Sequence, residues 1–205
     1  MRRASRGVFG TGGTLIRLAG VVVCAAWLSA AQAGVEEGRN KAQVCGACHG
    51  ADGNAVSAEI PSLAGQPRQF LVMALFMFRE GQRKSDLMAP FVAQLSNADL
   101  NDLAAHYSSQ KLKPPAEKLA AALAARAQAI SERNNCVACH RPTLTGQQHI
   151  PRLAGQGRAY LLAQLKGFKA STRADLDGTM TSAAQGLAPD ELELLADYLA
   201  TLDVP

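Results

Sequence analysis

The sequence contains the motif CxxCH twice, and this feature constrains the fold more than any other. Residues 45–49 read CGACH and residues 136–140 read CVACH, so each copy places two thiols beside an imidazole. These thiols are the only ones that follow the first 33 residues. They belong to Cys45, Cys48, Cys136 and Cys139.

The first 33 residues have the pattern of a secretory signal peptide. Four arginines precede or flank the apolar run LAGVVVCAAWLSA, and Ala31-Gln32-Ala33 forms a small-x-small cleavage site. The run from Leu18 to Ala31 is shorter than the roughly 20 residues that a membrane-spanning helix needs, and an uncleaved anchor is the alternative. We therefore expect export to the periplasm and removal of residues 1–33.

The basic character of the whole chain comes from this leader. The formal net charge is +4, and four of the 21 lysines and arginines lie in the leader, which leaves 17 against 17 acidic residues. A mature chain near neutrality gives no indication of nucleic-acid binding, so docking has to use local patches. An exported chain also meets an oxidising compartment, in which a bare CxxC tends to form a disulfide.

The remaining sequence is a tandem repeat. IPSLAGQPRQFL begins at Ile60 and IPRLAGQGRAYL at Ile150, and each copy runs from CxxCH through this segment to a lone methionine and a closing helix. We predict two domains, residues 34–113 and 114–205, with a linker around 111–116. Pro114-Pro115 are expected to stop one helix and start the next.

The pattern of apolar residues predicts an all-α fold. Leu71, Leu75 and Phe78 have helical spacing, as do their counterparts in the second copy, and no alternating β-type run appears. Ser96 with Asp99 predicts a capping box at the start of a closing helix. Residues 50–60 and 171–186 form polar loops too long for such small domains unless they wrap a large planar cofactor.

Three kinds of chemistry compete for the CxxCH motifs. A structural zinc site needs four converging ligands, whereas the two thiol pairs lie in separate repeats. A thioredoxin-like site needs a strand before CxxC, which this sequence lacks. Covalent c-type haem accounts for every residue: the thiols form thioethers with the porphyrin, and His49 or His140 binds iron from the proximal face.

The second axial ligand is assigned to the lone methionine of each copy. Met88 in KSDLMAPF and Met180 in LDGTMTSA occupy matching loops that can fold across the far haem face. Met73 and Met77 compete in the first copy, but they lie in an apolar helical stretch and are expected to pack in the core.

Over its whole mature length the sequence resembles the dihaem cytochrome c4 family. The repeated CxxCH, PxLAGQ, methionine loop and closing LAAHY or LADYL helix carry the resemblance in register. It implies two cytochrome c domains related by a pseudo-twofold axis, each wrapped around a covalent haem c. Two departures are Arg141-Pro142 in place of the usual glycine, and Leu87-Met88 where relatives often carry two methionines.

The resemblance implies a periplasmic electron carrier rather than an enzyme. Its partners would be redox proteins, namely a quinol-oxidising membrane cytochrome complex and a terminal oxidase or a dehydrogenase, with peripheral membrane association as an option. A haem enzyme with an open iron is one alternative. A dihaem subunit of a periplasmic dehydrogenase, such as flavocytochrome sulfide dehydrogenase, is another.

Lysines and arginines near the two methionine loops predict a basic rim for docking an acidic partner. Ordinary solvated helix faces are the alternative. The predicted rim consists of Arg79, Arg83, Lys84, Lys166, Lys169 and Arg173.

Overall fold

The chain folds into two helical halves of similar layout. A computed structural model describes residues 34–204. In the first half, helical residues 34–41 precede α1 (Gln43–His49), α2 (Arg68–Arg79), α3 (Ala89–Val92) and α4 (Asn97–Ser109). The second half contains α5 (Ala121–Arg133), α6 (Cys136–His140), α7 (Arg158–Lys169), α8 (Thr179–Gln185) and α9 (Pro189–Ala200).

The all-α prediction is confirmed. Among residues 34–204 the only β-type pairing is an isolated bridge between Gln147 and Ile150. None of the helices in this part of the chain combines the length and the apolar character needed to cross a membrane. The predicted signal peptide, residues 1–33, lies outside the described residues.

Each half has its own apolar core, built where a long helix packs on the closing helix. In the first half α2 packs on α4, and Leu71 and Leu103 are 4% and 2% exposed. In the second half α9 packs on both α7 and α5. Leu161 and Leu195 are buried in this core. The helical spacing of the leucines therefore identified the buried faces.

The capping box predicted for α4 is present. The Asp99 N–H donates to Ser96 Oγ at 3.2 Å, and the Ser96 N–H donates to Asp99 Oδ2 at 2.8 Å. These bonds satisfy two backbone donors that would otherwise lack partners at the helix start. In α9 the Glu191 carboxylate accepts from the Ala188 N–H at 3.0 Å in the same way.

The segment between α4 and α5 differs from the prediction. Pro114 and Pro115 adjoin no helix, because α4 ends at Ser109 and α5 begins only at Ala121. The side chain of Asn54 holds the start of this segment: it donates to the Lys111 carbonyl at 2.9 Å and accepts from the Lys113 N–H at 2.8 Å. These bonds replace the helical ones, and both prolines lie outside regular secondary structure.

The two halves contact one another through equivalent bonds. The Tyr160 N–H donates to the Ala58 carbonyl at 2.8 Å, and the Phe70 N–H donates to the Gln148 carbonyl at 3.0 Å. Phe70 and Tyr160 occupy matching positions in the repeat, as do Ala58 and Gln148. This reciprocity is the pattern of a pseudo-twofold axis between the halves.

Candidate functional site

Each CxxCH motif forms a short helix that ends at its histidine. In α1, Cys45 and Cys48 are three positions apart and so lie on one helix face. Cys45 is half-buried and Cys48 exposed, and Cys136 and Cys139 of α6 have the same two environments. No disulfide joins these four side chains. Each helix thus presents two thiols on one side, beside its histidine.

The thiol environments count against thiolate chemistry. Burial raises the pKa of the Cys45 and Cys136 thiols above its ordinary value. Neither of these two thiols is therefore activated as a thiolate for disulfide exchange. Among the described residues there is no cluster of three or more metal-binding side chains. Each half thus offers two thiols and one imidazole, fewer than the four converging ligands of a structural zinc site.

Both motif histidines are buried and fixed by a carbonyl group. His49 is 7% exposed and His140 is 4% exposed. The Nδ1 atom of His49 lies 2.9 Å from the Pro61 carbonyl oxygen, and that of His140 lies 2.8 Å from the Pro151 carbonyl oxygen. Because a carbonyl only accepts, Nδ1 carries the proton and Nε2 keeps its lone pair.

These imidazoles fit the role of an iron ligand. Burial lowers the pKa of His49 and of His140, outweighing the carbonyl bonds that act in the opposite direction. Each ring is therefore neutral near pH 7, with Nε2 free to bind a metal, and its orientation is fixed by a hydrogen bond to Nδ1. The donor set of each half, two thiols and one neutral imidazole, fits covalent haem c.

The lone methionines lie at the starts of matching short helices. Met88 immediately precedes α3, and its N–H donates to the Ser85 carbonyl at 3.1 Å. Met180 is inside the first turn of α8 rather than in the predicted loop, because the Asp175 carboxylate accepts from its N–H at 2.7 Å and so caps the helix. Both methionines are half-buried. Their role as distal ligands remains a prediction.

The two competing methionines belong to α2. Met77 is 5% exposed and lies in the core, as expected. Met73 is half-buried and lines a groove between α2 and α4 together with Val72 and Phe76. Both positions are consistent with packing roles.

The first turn after the second motif keeps the geometry of its counterpart in the first half despite its changed sequence. Arg141 has φ 71° and ψ 160°, close to the φ 81° and ψ 147° of Gly50. The Leu144 N–H donates to the Arg141 carbonyl at 3.0 Å, as the Gly53 N–H donates to the Gly50 carbonyl at 2.9 Å. Arg141 therefore adopts a left-handed backbone that glycine favours.

The predicted basic rim is wrong at its two equivalent arginines. The Arg83 guanidinium lies 4.4 Å from the centre of the Phe78 ring, and that of Arg173 lies 4.2 Å from the centre of the Phe168 ring. Arg83 also donates to the Tyr160 hydroxyl at 2.8 Å, across the two halves. Burial, followed by repulsion from Arg83, lowers the pKa of Arg173 to about 10. These cations belong to the interface.

The other cations of the predicted rim largely bind within their own half. Arg79 donates to the Leu95 carbonyl, and Lys166 pairs with Glu193. Lys169 donates to the carbonyl of Gln185. Such contacts are those of ordinary solvated helix faces, which was the alternative interpretation.

Two glutamines that sequence reasoning overlooked join the halves. Gln66 Oε1 accepts from the Arg152 N–H at 2.9 Å, and Gln66 Nε2 donates to the Arg152 carbonyl at 3.0 Å. Gln156 makes the same two bonds with Ser62, at 2.7 and 2.9 Å. The sequence did contain a sign of this role, because a glutamine ends both LAGQ segments. The sequence does not, however, indicate which residue each glutamine binds.

Arg152 is a buried cation in this interface. Its side chain is 1% exposed and donates to the Ala64 carbonyl of the first half at 2.9 Å and to the Ala154 carbonyl at 2.5 Å. No carboxylate among the described residues pairs with it, and burial lowers its pKa to about 10. Ser62 stands at the matching position of the first half, so the interface is asymmetric in charge.

Comparison with known proteins matches both halves. Residues 124–203 match the family model "Cytochrome c", and residues 34–106 match "Cytochrome C oxidase, cbb3-type, subunit III". Cytochrome c4 of Pseudomonas aeruginosa is 33% identical, over 80% of this chain and 87% of that protein. A thiosulfate dehydrogenase electron acceptor from Thiomonas intermedia is 35% identical, over 78% of this chain and 79% of that protein.

A solved structure matches the arrangement of both halves together. The crystal structure of reduced recombinant cytochrome c4 from Pseudomonas stutzeri superposes with a TM-score of 0.77 at 33% identity. The match covers 82% of this chain and 98% of that chain. The fold of this chain and the relation between its halves are therefore those of a known two-domain protein.

Proposed function

Because the chain belongs to the dihaem cytochrome c4 family, we propose that it shuttles electrons in a periplasmic respiratory chain. The donor would be a quinol-oxidising cytochrome complex and the acceptor a terminal oxidase. The chain is an electron-transfer protein rather than an enzyme, and it carries two covalently bound haem c groups. Bound haem supplies the one-electron chemistry.

One observation carries the proposal: each half holds a buried, neutral imidazole whose Nδ1 is fixed by a proline carbonyl. In this assignment Cys45, Cys48, Cys136 and Cys139 anchor the porphyrins, and His49 and His140 are proximal ligands. Met88 and Met180 complete the coordination. An iron with two protein ligands has no open position for a substrate, which favours outer-sphere electron transfer.

The experiment that tests the carrier role uses the purified holoprotein with native membranes. We expect quinol-reduced membranes to reduce it, and membranes containing terminal oxidase to oxidise it, with rates that saturate as its concentration rises. A free carrier should purify without a partner. Failure of membranes to exchange electrons with the protein would contradict the proposed pathway.

A second candidate function is to accept electrons from a periplasmic dehydrogenase. The relative from Thiomonas intermedia is named as an electron acceptor of thiosulfate dehydrogenase, which favours a dehydrogenase as donor. Flavocytochrome sulfide dehydrogenase, of which the chain would be a permanent dihaem subunit, is another example of such a dehydrogenase. Co-purification with a flavoprotein or with thiosulfate-oxidising activity would favour this candidate over the respiratory one.

The periplasmic location rests on the predicted leader. We expect mass spectrometry of the mature protein to find Gly34 at its N-terminus. A mature chain that keeps Cys24 and a lipid would contradict removal of the leader.

A further inference from the structure

The two interdomain glutamines bind the same peptide groups that hold the motif histidines. The carbonyl of the Pro151–Arg152 peptide lies 2.8 Å from His140 Nδ1, and the N–H of that peptide donates to Gln66 Oε1 at 2.9 Å. An unbroken hydrogen-bond chain thus runs from Gln66 in the first half to the imidazole of the second half.

The reverse chain is equally complete. The carbonyl of the Pro61–Ser62 peptide lies 2.9 Å from His49 Nδ1, and its N–H donates to Gln156 Oε1 at 2.7 Å. Each histidine is therefore linked through one peptide group to a glutamine of the opposite half. Gln66 and Gln156 are each only 3% exposed, so bulk water does not compete strongly for these bonds.

Hydrogen bonds arranged in this way reinforce one another. When the N–H of a peptide donates to a strong acceptor, electron density moves towards the carbonyl oxygen of the same peptide, which becomes a better acceptor. Strengthening of about 10–30% per bond is the condensed-phase estimate. A stronger bond to Nδ1–H makes Nε2 a better electron donor to a bound metal.

We propose that Gln66 and Gln156 tune the haem of the opposite domain by polarising the peptide that holds its proximal histidine. Both are positioning residues, since neither touches iron in this scheme. The inference rests on the proposed ligation of iron by His49 and His140. A better donor ligand favours ferric iron. Each intact chain of hydrogen bonds therefore lowers the reduction potential of the haem in the opposite domain.

The test is a redox titration of the holoprotein with Gln66→Met, which removes both polar groups of the amide at similar size. The potential assigned to the second domain should rise, while that of the first domain stays at the parent value. Gln156→Met should do the reverse. Each couple is assigned to a domain by NMR contacts between haem protons and side chains of α2 or α7.

The sign of the shift separates this mechanism from a loosened interface. Water admitted by a gap would favour ferric iron and lower the potential. Gln164→Met is the matched control, because Gln164 accepts from Arg83 across the same interface at 2.9 Å. It does not bind either of the peptide groups whose carbonyls hold His49 and His140. The variant should leave both potentials unchanged. The proposal would be overturned if the reduction potential of the second domain fell or stayed unchanged in Gln66→Met. A shift confined to the haem of the first domain would also overturn it.

A spectroscopic measurement completes the test. In the reduced protein, the Nδ1–H proton of His140 should move upfield in Gln66→Met as its hydrogen bond weakens. If the methionine variant fails to fold, Gln66→Asn takes its place, because its shorter side chain withdraws the same amide from the peptide. It should shift the proton and the potential in the same directions. Absence of the large upfield ring shifts of an iron-bound imidazole in the parent would overturn the ligation itself. If the parent shows these ring shifts but neither variant moves the Nδ1–H proton of His140, only the tuning is overturned.

Discussion

The ring of Tyr107 lies directly over Gly53, so that a Cβ atom at position 53 would come within 2.7 Å of Tyr107 Cδ1. Gly53 also has a left-handed backbone, with φ 74°. In the second half Leu144 keeps this backbone, with φ 56°, and its side chain is buried in a cluster with Leu199, which stands where the first half has Tyr107. In the first half the ring on the closing helix fills this space, and in the second half the side chain on the loop, Leu144, fills it.

This packing predicts that Gly53→Ala destabilises the first domain. The left-handed backbone costs about 1–2 kcal/mol for a residue with a Cβ, and overpacking against the ring adds about 1–3 kcal/mol. The measurement is the free energy of unfolding from urea titration of the holoprotein. Gly81→Ala is the matched control, because Gly81 has φ 69° but no atom within 4 Å of the point that a Cβ would occupy. Equal losses in the two variants would contradict the collision.

The axial assignment predicts that Met88→Ala and Met180→Ala each open one iron. A thioether stabilises ferrous iron, so its loss should lower one of the two reduction potentials and allow one haem per chain to bind carbon monoxide. Optical titration measures both effects. Met77→Ala is the control: it should cost about 2–5 kcal/mol of stability without either effect. Rapid carbon monoxide binding by the parent protein would instead favour the haem-enzyme alternative.

The anchor assignment predicts that replacing Cys136 and Cys139 together by alanine leaves one covalent haem per chain. The second domain should then fail to fold, since it lacks the largest apolar component of its core. Haem content after denaturing extraction, measured by absorption and mass, checks the prediction. Two haems retained in that variant would refute the assignment.

Acid should weaken the contact between the N-terminal helical residues and α4. The Lys41 ammonium 2.7 Å away, followed by the Ser96 bonds, lowers the pKa of Asp99 from 3.8 to about 2. A carboxyl whose pKa is depressed on folding stabilises the fold above its unfolded pKa, and this contribution is lost as pH falls from 3.8 towards 2. Partial exposure limits the effect to about 1 kcal/mol.

Urea midpoints at pH 6 and pH 3 measure this contribution. Asp99→Asn should reduce the difference between the two midpoints. Asp86→Asn is the control, because Asp86 is exposed and has no ion-pair partner among residues 34–204. An unchanged difference in Asp99→Asn would show that other carboxylates cause the acid sensitivity.

Local signals in the sequence predicted the elements that depend on local interactions. Ser96 and Asp99 formed their capping box because both partners belong to one helical turn. The leucines of α2 and α7 identified the buried faces because helical periodicity brings them to one side. The position of Pro114-Pro115 was less informative, since side-chain bonds from the distant Asn54 determine the course of the segment before α5.

Contacts between the halves were outside the reach of such signals. An arginine is almost never fully buried, so Arg152 gave no indication of its place in the interface, and Arg83 and Arg173 were assigned to the surface. The LAGQ glutamines repeat in register, but their partners lie in the opposite copy. Sequence periodicity reports which residues share a face and not which face meets another domain.

The environment of Arg152 also makes the two domains unequal in what each takes from the other. Of the carbonyls that receive its guanidinium, those of Ser62 and Ala64 come from the first half of the chain, whereas the first half places only a neutral serine at the matching point. The second domain therefore takes partners for a buried cation from the first, whereas the first domain has no cation at the matching position to satisfy, so the two products of the duplication are no longer interchangeable.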